Sequence, residues 1–120
     1  MTRILIIEPD MVLARLYQTA LETSGHEVSR VSNAQEALFA IEKSRPDTVI
    51  LEIDMPNHNG LEFLYEFSSY SDWATINIIV HSALRPSLFD RMKVSWQHLG
   101  VSEYLYKPET SLAALQQVVA

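Results

Sequence analysis

Six side chains in this sequence carry the chemistry of a binding or reactive site and stand where apolar runs end: Glu8, Asp10, Glu52, Asp54, Ser82 and Lys107. Ile4 to Ile7 stop at Glu8-Pro9-Asp10, Val49 to Leu51 at Glu52-Ile53-Asp54, Ile76 to Val80 at His81-Ser82-Ala83, and Glu103 to Tyr106 at Lys107-Pro108. Short runs rich in β-branched residues read as strands buried on both faces, so each polar group falls at a strand's C-terminal end. In open parallel sheets that rim is where ligands and chemistry sit.

Other chemistries lack their residues. Ser82 has no histidine and carboxylate in an identifiable triad and no G-x-S-x-G turn, which leaves nucleophilic catalysis unsupported. His26, His58, His81 and His98 are scattered without metal-ligand spacing, so no zinc site is expected. No G-x-G-x-x-G or G-K-S/T follows an early strand, and Glu8-Pro9-Asp10 is the electrostatic opposite of the loop a flavin phosphate would want. Cysteine is absent. That removes disulfides, thiolate metal sites and cysteine nucleophiles, and it fits a reducing compartment.

The elements that must position these groups follow from periodicity. Leu13, Leu16, Tyr17, Ala20 and Leu21 repeat at helical spacing from Asp10, an N-cap type, until Gly25. Val28 to Val31 form a shorter strand interrupted by Ser29 and Arg30, as befits a sheet edge. Asn33 with Glu36 is a capping signal for a helix whose narrow face is Ala34, Ala37, Leu38 and Ile41. Met55-Pro56 ends the third strand, Asn57 to Gly60 make a tight loop, and Leu61, Leu64, Tyr65 and Ser68 follow one helical stripe, with Phe63 and Phe67 beside it. Ser68 to Thr75 read as a loop pinned by Trp73. Pro86 opens a fourth helix carrying Leu88, Met92, Trp96 and Leu99 up to Gly100, and Leu112, Leu115 and Val119 make the last. Five strands alternating with five helices predict an α/β fold: a doubly wound five-stranded parallel sheet, flavodoxin-like, with strand order 2-1-3-4-5.

The 120 residues are expected to form one domain, residues 1–120. With 48% hydrophobic and 20% charged residues, disorder is not expected. No apolar run approaches the roughly 18 residues of a membrane span, and the start shows no signal-peptide pattern, so the chain is expected to be cytoplasmic and free of membrane. A net charge of -6 argues against a direct grip on nucleic acid and favours a protein partner.

The rim resembles the receiver domain of two-component response regulators over essentially the whole chain. The features are acids after strand one, Ile50-Leu51-Glu52-Ile53-Asp54-Met55-Pro56 with Gly60 four residues on, Ser82-Ala83, and Tyr104-x-x-Lys107-Pro108. The resemblance implies that Glu52 stands in the place of the phosphate-accepting aspartate. It implies that Ser82 matches the hydroxyl contacting the phosphoryl group, Lys107 the lysine pairing with it, and Tyr104 the aromatic that reports the state of the pocket. Glu8 and Pro9 match the two acids after strand one, the second of which normally holds Mg²⁺, and the backbone carbonyl of Asp54 matches a further ligand. The family's common output face, from helix four, strand five and helix five, here offers Phe89, Trp96, Val101, Tyr104 and Tyr106 for a partner, an attached output domain or a homodimer.

Two positions depart from that pattern. A glutamate carboxylate sits about 1 Å beyond an aspartate's, and a misplacement of about 1 Å costs on the order of 100-fold in a positioned reaction. Pro9 supplies no carboxylate, leaving Glu8 and Glu52 at most a weak hold on Mg²⁺. Asp10 serves a helix better as N-cap than an ion as ligand, and Asp54 lies too far into its loop to replace Glu52 as acceptor. The expectation is a pseudo-receiver: no enzyme, no cofactor, no metal, and an interaction or regulatory module independent of phosphorylation. Either Glu52 reaches Lys107 and Ser82 and fixes the pocket, or it merely pairs with the nearest cation. The alternatives are a working phosphoacceptor served by a histidine kinase, and a small-molecule binding domain on the same scaffold.

Overall fold

Alternating β-branched runs and 3.6-residue periodicity leave little topological freedom, and the computed structural model shows the result for residues 2–55, 59–91 and 95–119. The strands are β1 (Arg3–Ile7), β2 (Glu27–Val31), β3 (Thr48–Leu51), β4 (Asn77–Ser82) and β5 (Val101–Tyr106). The α-helices are α1 (Met11–Thr23), α2 (Ala34–Lys43), α3 (Gly60–Ser68), α4 (Ser87–Arg91) and α5 (Leu112–Val119). All paired strands are parallel, in the order β2-β1-β3-β4-β5.

Because side chains alternate along a strand, each strand feeds two cores. Leu5, Ile7, Val49, Leu51, Ile78 and Val80 meet the α2 and α3 side through Ala37, Ile41, Phe63 and Leu64. Ile4, Ile6, Ile50 and Ile79 meet Tyr17 and Leu21 of α1 and Leu115 and Val119 of α5. The edge strand β2 is partly covered: the Val28 carbonyl accepts a hydrogen bond from Gln18 Nε2 (3.3 Å), and Gln18 Oε1 accepts one from Arg30 Nε (2.8 Å).

Several side-chain directions differ from the stripes drawn above. Leu16 and Tyr65 are exposed, while α1 buries Ala14, Tyr17 and Leu21, and α3 buries Phe63, Leu64 and Phe67. Phe89 and Val101, expected on the output face, are core residues at 1% and 3% exposure. Instead of one long fourth helix there are α4 and a separate 3₁₀ turn at Gln97–Leu99, and Met92, expected on that helix, lies outside the described residues. Pro56, Asn57 and His58 of the loop after β3 lie outside them too. Trp73 pins the α3–β4 connection: it is buried in a 3₁₀ turn, with ring centroids 4.4 Å from Tyr70 and 5.4 Å from Phe67.

Gly60 seats α3 against the turn that carries the rim acids. Its N–H donates to the Ile53 carbonyl at 2.8 Å, and a Cβ there would stand 2.5 Å from Ile53 Cα and 3.1 Å from the Glu52 carbonyl. Since backbone must then move, Gly60→Ala is expected to cost about 1–3 kcal/mol, in the range of an overpacked core. Urea unfolding measures it, and an unchanged midpoint would show that the turn has room.

Candidate functional site

β1, β3, β4 and β5 end together, and the residue at or just beyond each end supplies the site. The Glu52 N–H donates to the Ile7 carbonyl (3.0 Å) and the Glu8 N–H to the Val31 carbonyl (3.1 Å), so both acids extend the strand ladder by one residue. Their stems are thereby fixed by backbone bonds. Both are buried, with side chains only 4% exposed.

Glu52 is fully engaged. Its Oε1 accepts hydrogen bonds from Lys107 Nζ (2.7 Å) and the Ala83 N–H (3.1 Å), and its Oε2 accepts from the Asp54 N–H (3.0 Å) and from Ser82 Oγ. Lys107 Nζ also donates to Glu8 Oε1, while Glu8 Oε2 accepts from the Asp10 N–H (3.1 Å). Burial pushes the Glu52 carboxyl up, but the bonds from Lys107, Ser82 and the two amides outweigh it and hold the group below its ordinary value. Burial likewise opposes the Lys107 ammonium, and Glu52 and Glu8 overcome it, so its pKa is raised. Glu52 and Lys107 are therefore both charged at neutral pH.

The sequence expectations divide here. Glu8, Glu52, Ser82 and Lys107 come together. The carboxylates of Asp10 and Asp54, expected in an acidic pocket, do not join them. Asp10 is exposed and caps α1, accepting from the N–H groups of Val12 (3.0 Å) and Leu13 (3.2 Å). Asp54 is exposed and meets the pocket through its amide alone. Turn residues spend short polar side chains on the local backbone, and this pulls Asp10 away from the rim.

A chain of contacts leads outward from Glu52. Ser82 Oγ accepts from the Leu84 N–H (3.0 Å), and Tyr104 Oη donates to the Leu84 carbonyl (2.7 Å). The half-buried Tyr104 ring packs edge-on against Phe89, with centroids 5.8 Å apart, and lies 6.1 Å from Trp96. Trp96 and Tyr106 are half-buried, and the Arg85 guanidinium lies 4.8 Å over the Tyr106 ring.

Beneath the rim, His81 takes the core side, one of the two orientations open to it just before Ser82, and packs against Tyr17 of α1. The His81 ring, 4% exposed, meets Tyr17 edge-on at 4.8 Å. Burial and the nearby Lys107 ammonium depress the imidazole to about 4, against a smaller opposing pull from Glu52. Burial raises the Tyr17 phenol. Alternation held the signal, since His81 shares the α1 face with Ile79.

The Mg²⁺ that the resemblance implies does not fit these donors. Mg²⁺ demands near-octahedral oxygen ligation. Here Pro9 offers no side-chain donor, Asp10 is committed to its helix, and the facing oxygens of Glu8 and Glu52 both hold Lys107. Among the described residues, no three His, Asp or Glu side chains gather as a metal site. No helix among them is long and apolar enough to cross a membrane.

The sequence matches the response regulator receiver domain over residues 4–120. It is 32% identical over 108 residues to the KDP operon transcriptional regulatory protein KdpE of Escherichia coli (strain K12), covering 90% of this chain and 45% of that protein. It is also 32% identical over 118 residues to the response regulator MprA of Mycolicibacterium vanbaalenii, covering 98% of this chain and 47% of that protein. The chain thus spans about half the length of these curated relatives. The chemotaxis protein CheY4 of Vibrio cholerae superposes with a TM-score of 0.86 at 21% identity, over 99% of this chain and 96% of that one, a likeness of fold. With sheet order and sequence in agreement over nearly its full length, this chain belongs to the response regulator receiver domain family.

Proposed function

We propose that this receiver domain works as a pseudo-receiver, an interaction or regulatory module whose state does not depend on phosphorylation and which performs no catalysis. The observation that carries this reading is the occupancy of Glu52: each carboxylate oxygen already accepts two hydrogen bonds, and the side chain is 4% exposed. A nucleophile needs a free lone pair and an open line of approach to phosphorus, and Glu52 has neither. A carboxylate supplies one negative charge and two oxygens where a phosphoryl group would bring about -1.5 to -2 and three acceptors, so Glu52 imitates such a group only in part.

The run from Glu52 through Ser82 and Leu84 to Tyr104 supports the further view that Glu52 fixes the pocket, in preference to a casual pairing with the nearest cation. The partner we infer is another protein or an attached output segment, in keeping with the longer transcriptional regulators it resembles. The surface around Tyr104, Trp96 and Tyr106 is its docking face or that of a second copy, in a cytoplasmic setting and without direct contact to nucleic acid.

The experiment is incubation with Mg²⁺ and acetyl phosphate, followed by intact-mass measurement. The native chain is expected to gain no phosphoryl group, and the Glu52→Asp/Pro9→Asp double variant is expected to gain one. Labelling of the native chain would establish the phosphoacceptor alternative instead.

A further inference from the structure

Two buried carboxylates and one ammonium share the centre of the rim, and their geometry fixes which cation the pocket holds. Lys107 Nζ contacts Glu8 Oε1 and lies 2.7 Å from Glu52 Oε1. The second oxygen of each carboxylate is bound by a backbone amide, Asp10 N–H for Glu8 and Asp54 N–H for Glu52. Neither carboxylate can turn a fresh oxygen inward without breaking such a bond. Lys107 is itself anchored, since it directly follows β5 and opens the 3₁₀ turn Lys107–Glu109 with Pro108.

We propose that Lys107 is the resident cation of this pocket, a covalently tethered ammonium ion that holds the place between Glu8 and Glu52, and that removing it uncovers a divalent-cation site made by those two carboxylates. The claim rests on the locked pocket described above, and it concerns the ion, not the phosphoryl group. A tethered cation competes at high effective concentration, whereas Mg²⁺ must shed water reluctantly to enter. The two oxygens that face Lys107 are hard, anionic and preorganised. A small hard cation can bind through one or two carboxylates while keeping its remaining waters.

The test uses the whole chain and Mn²⁺ alone, followed by calorimetry and by the paramagnetic signal of free Mn²⁺. Lys107→Met is expected to bind Mn²⁺ at least about 10-fold more tightly than the native chain, because a charge within about 4–6 Å shifts an ionic equilibrium by about 1–3 logarithmic units. Adding Glu8→Gln should abolish that gain, and Lys107→Arg should behave like the native chain. The assignment is overturned if folded Lys107→Met binds Mn²⁺ no better than the native chain, or if the gain survives Glu8→Gln. Should Lys107→Met fail to fold, the native chain decides through its amide spectrum during Mg²⁺ titration. Saturable shifts at Asp54 and Ala83 overturn the tethered cation, and their absence supports it. No phosphodonor is present in any arm, so a native chain that is inert to metal yet labelled by acetyl phosphate would defeat phosphorylation independence alone.

Discussion

Lys107→Met is expected to lower the unfolding free energy by about 3–5 kcal/mol, the size associated with breaking a buried ion pair from one side. The cause lies in what remains: Glu8 and Glu52, both nearly fully buried, would face each other without a cation. Glu52→Gln should cost less, because Lys107 keeps Glu8 as its counter-ion and the amide oxygen still accepts from Ala83 or Asp54. Glu8→Gln should likewise cost less than the lysine change. Chemical denaturation of the three single variants at neutral pH checks the ordering. A small domain commonly holds about 5–15 kcal/mol in reserve, enough for the lysine variant to remain measurable. Equal losses at all three positions would mean that Lys107 does not serve both acids.

Acid should weaken the domain through His81 before the Glu52 carboxyl protonates. His81 titrates near its ordinary 6.5 when unfolded and at about 4 when folded. Between those values the unfolded chain binds a proton that the folded chain refuses, so stability falls as pH drops from about 6.5 to about 4 and this contribution then levels off. The interval of 2.5 units corresponds to a loss on the order of 3 kcal/mol. Glu52 adds a second limb: its folded pKa is depressed, so its contribution is full above its ordinary 4.5 and disappears as pH falls through the lower folded value. Lys107 has the opposite sense, contributing fully below its ordinary 10.5 and losing that contribution as pH rises through its raised folded value. Urea midpoints at pH 7, 5 and 4 measure the first limb. His81→Phe keeps an aromatic against Tyr17 and should flatten the curve in that interval alone; an unchanged slope would assign the acid sensitivity elsewhere.

The sheet and its order were legible because buried parallel strands are written as uninterrupted apolar runs, and polar residues cannot follow until the chain leaves the core. Glu52, Ser82 and Lys107 were legible for the same reason, and their mutual contacts follow from β3 lying next to β4 and β4 next to β5. Directions within short or irregular segments were not. In α4, described over Ser87–Arg91, a small rotation exchanges Leu88 for Phe89 as the buried residue, and no long periodic pattern among the described residues averages that error away. The N-cap role of Asp10 was legible in its residue type, whereas the exposed carboxylate and inward amide of Asp54 depend on turn geometry that residue type does not specify. The Glu8–Lys107 contact spans 99 positions and needed the curvature of the finished rim to appear.

Gln18 gives the sheet margin a further significance. By occupying the Val28 carbonyl and engaging Arg30, it withholds from β2 part of the acceptor pattern that an incoming β-strand would template on. Growth of the sheet through β2, the route by which open edges seed fibrils, would first have to dislodge this glutamine. At this margin the strand-to-strand contacts that would propagate are thereby disfavoured.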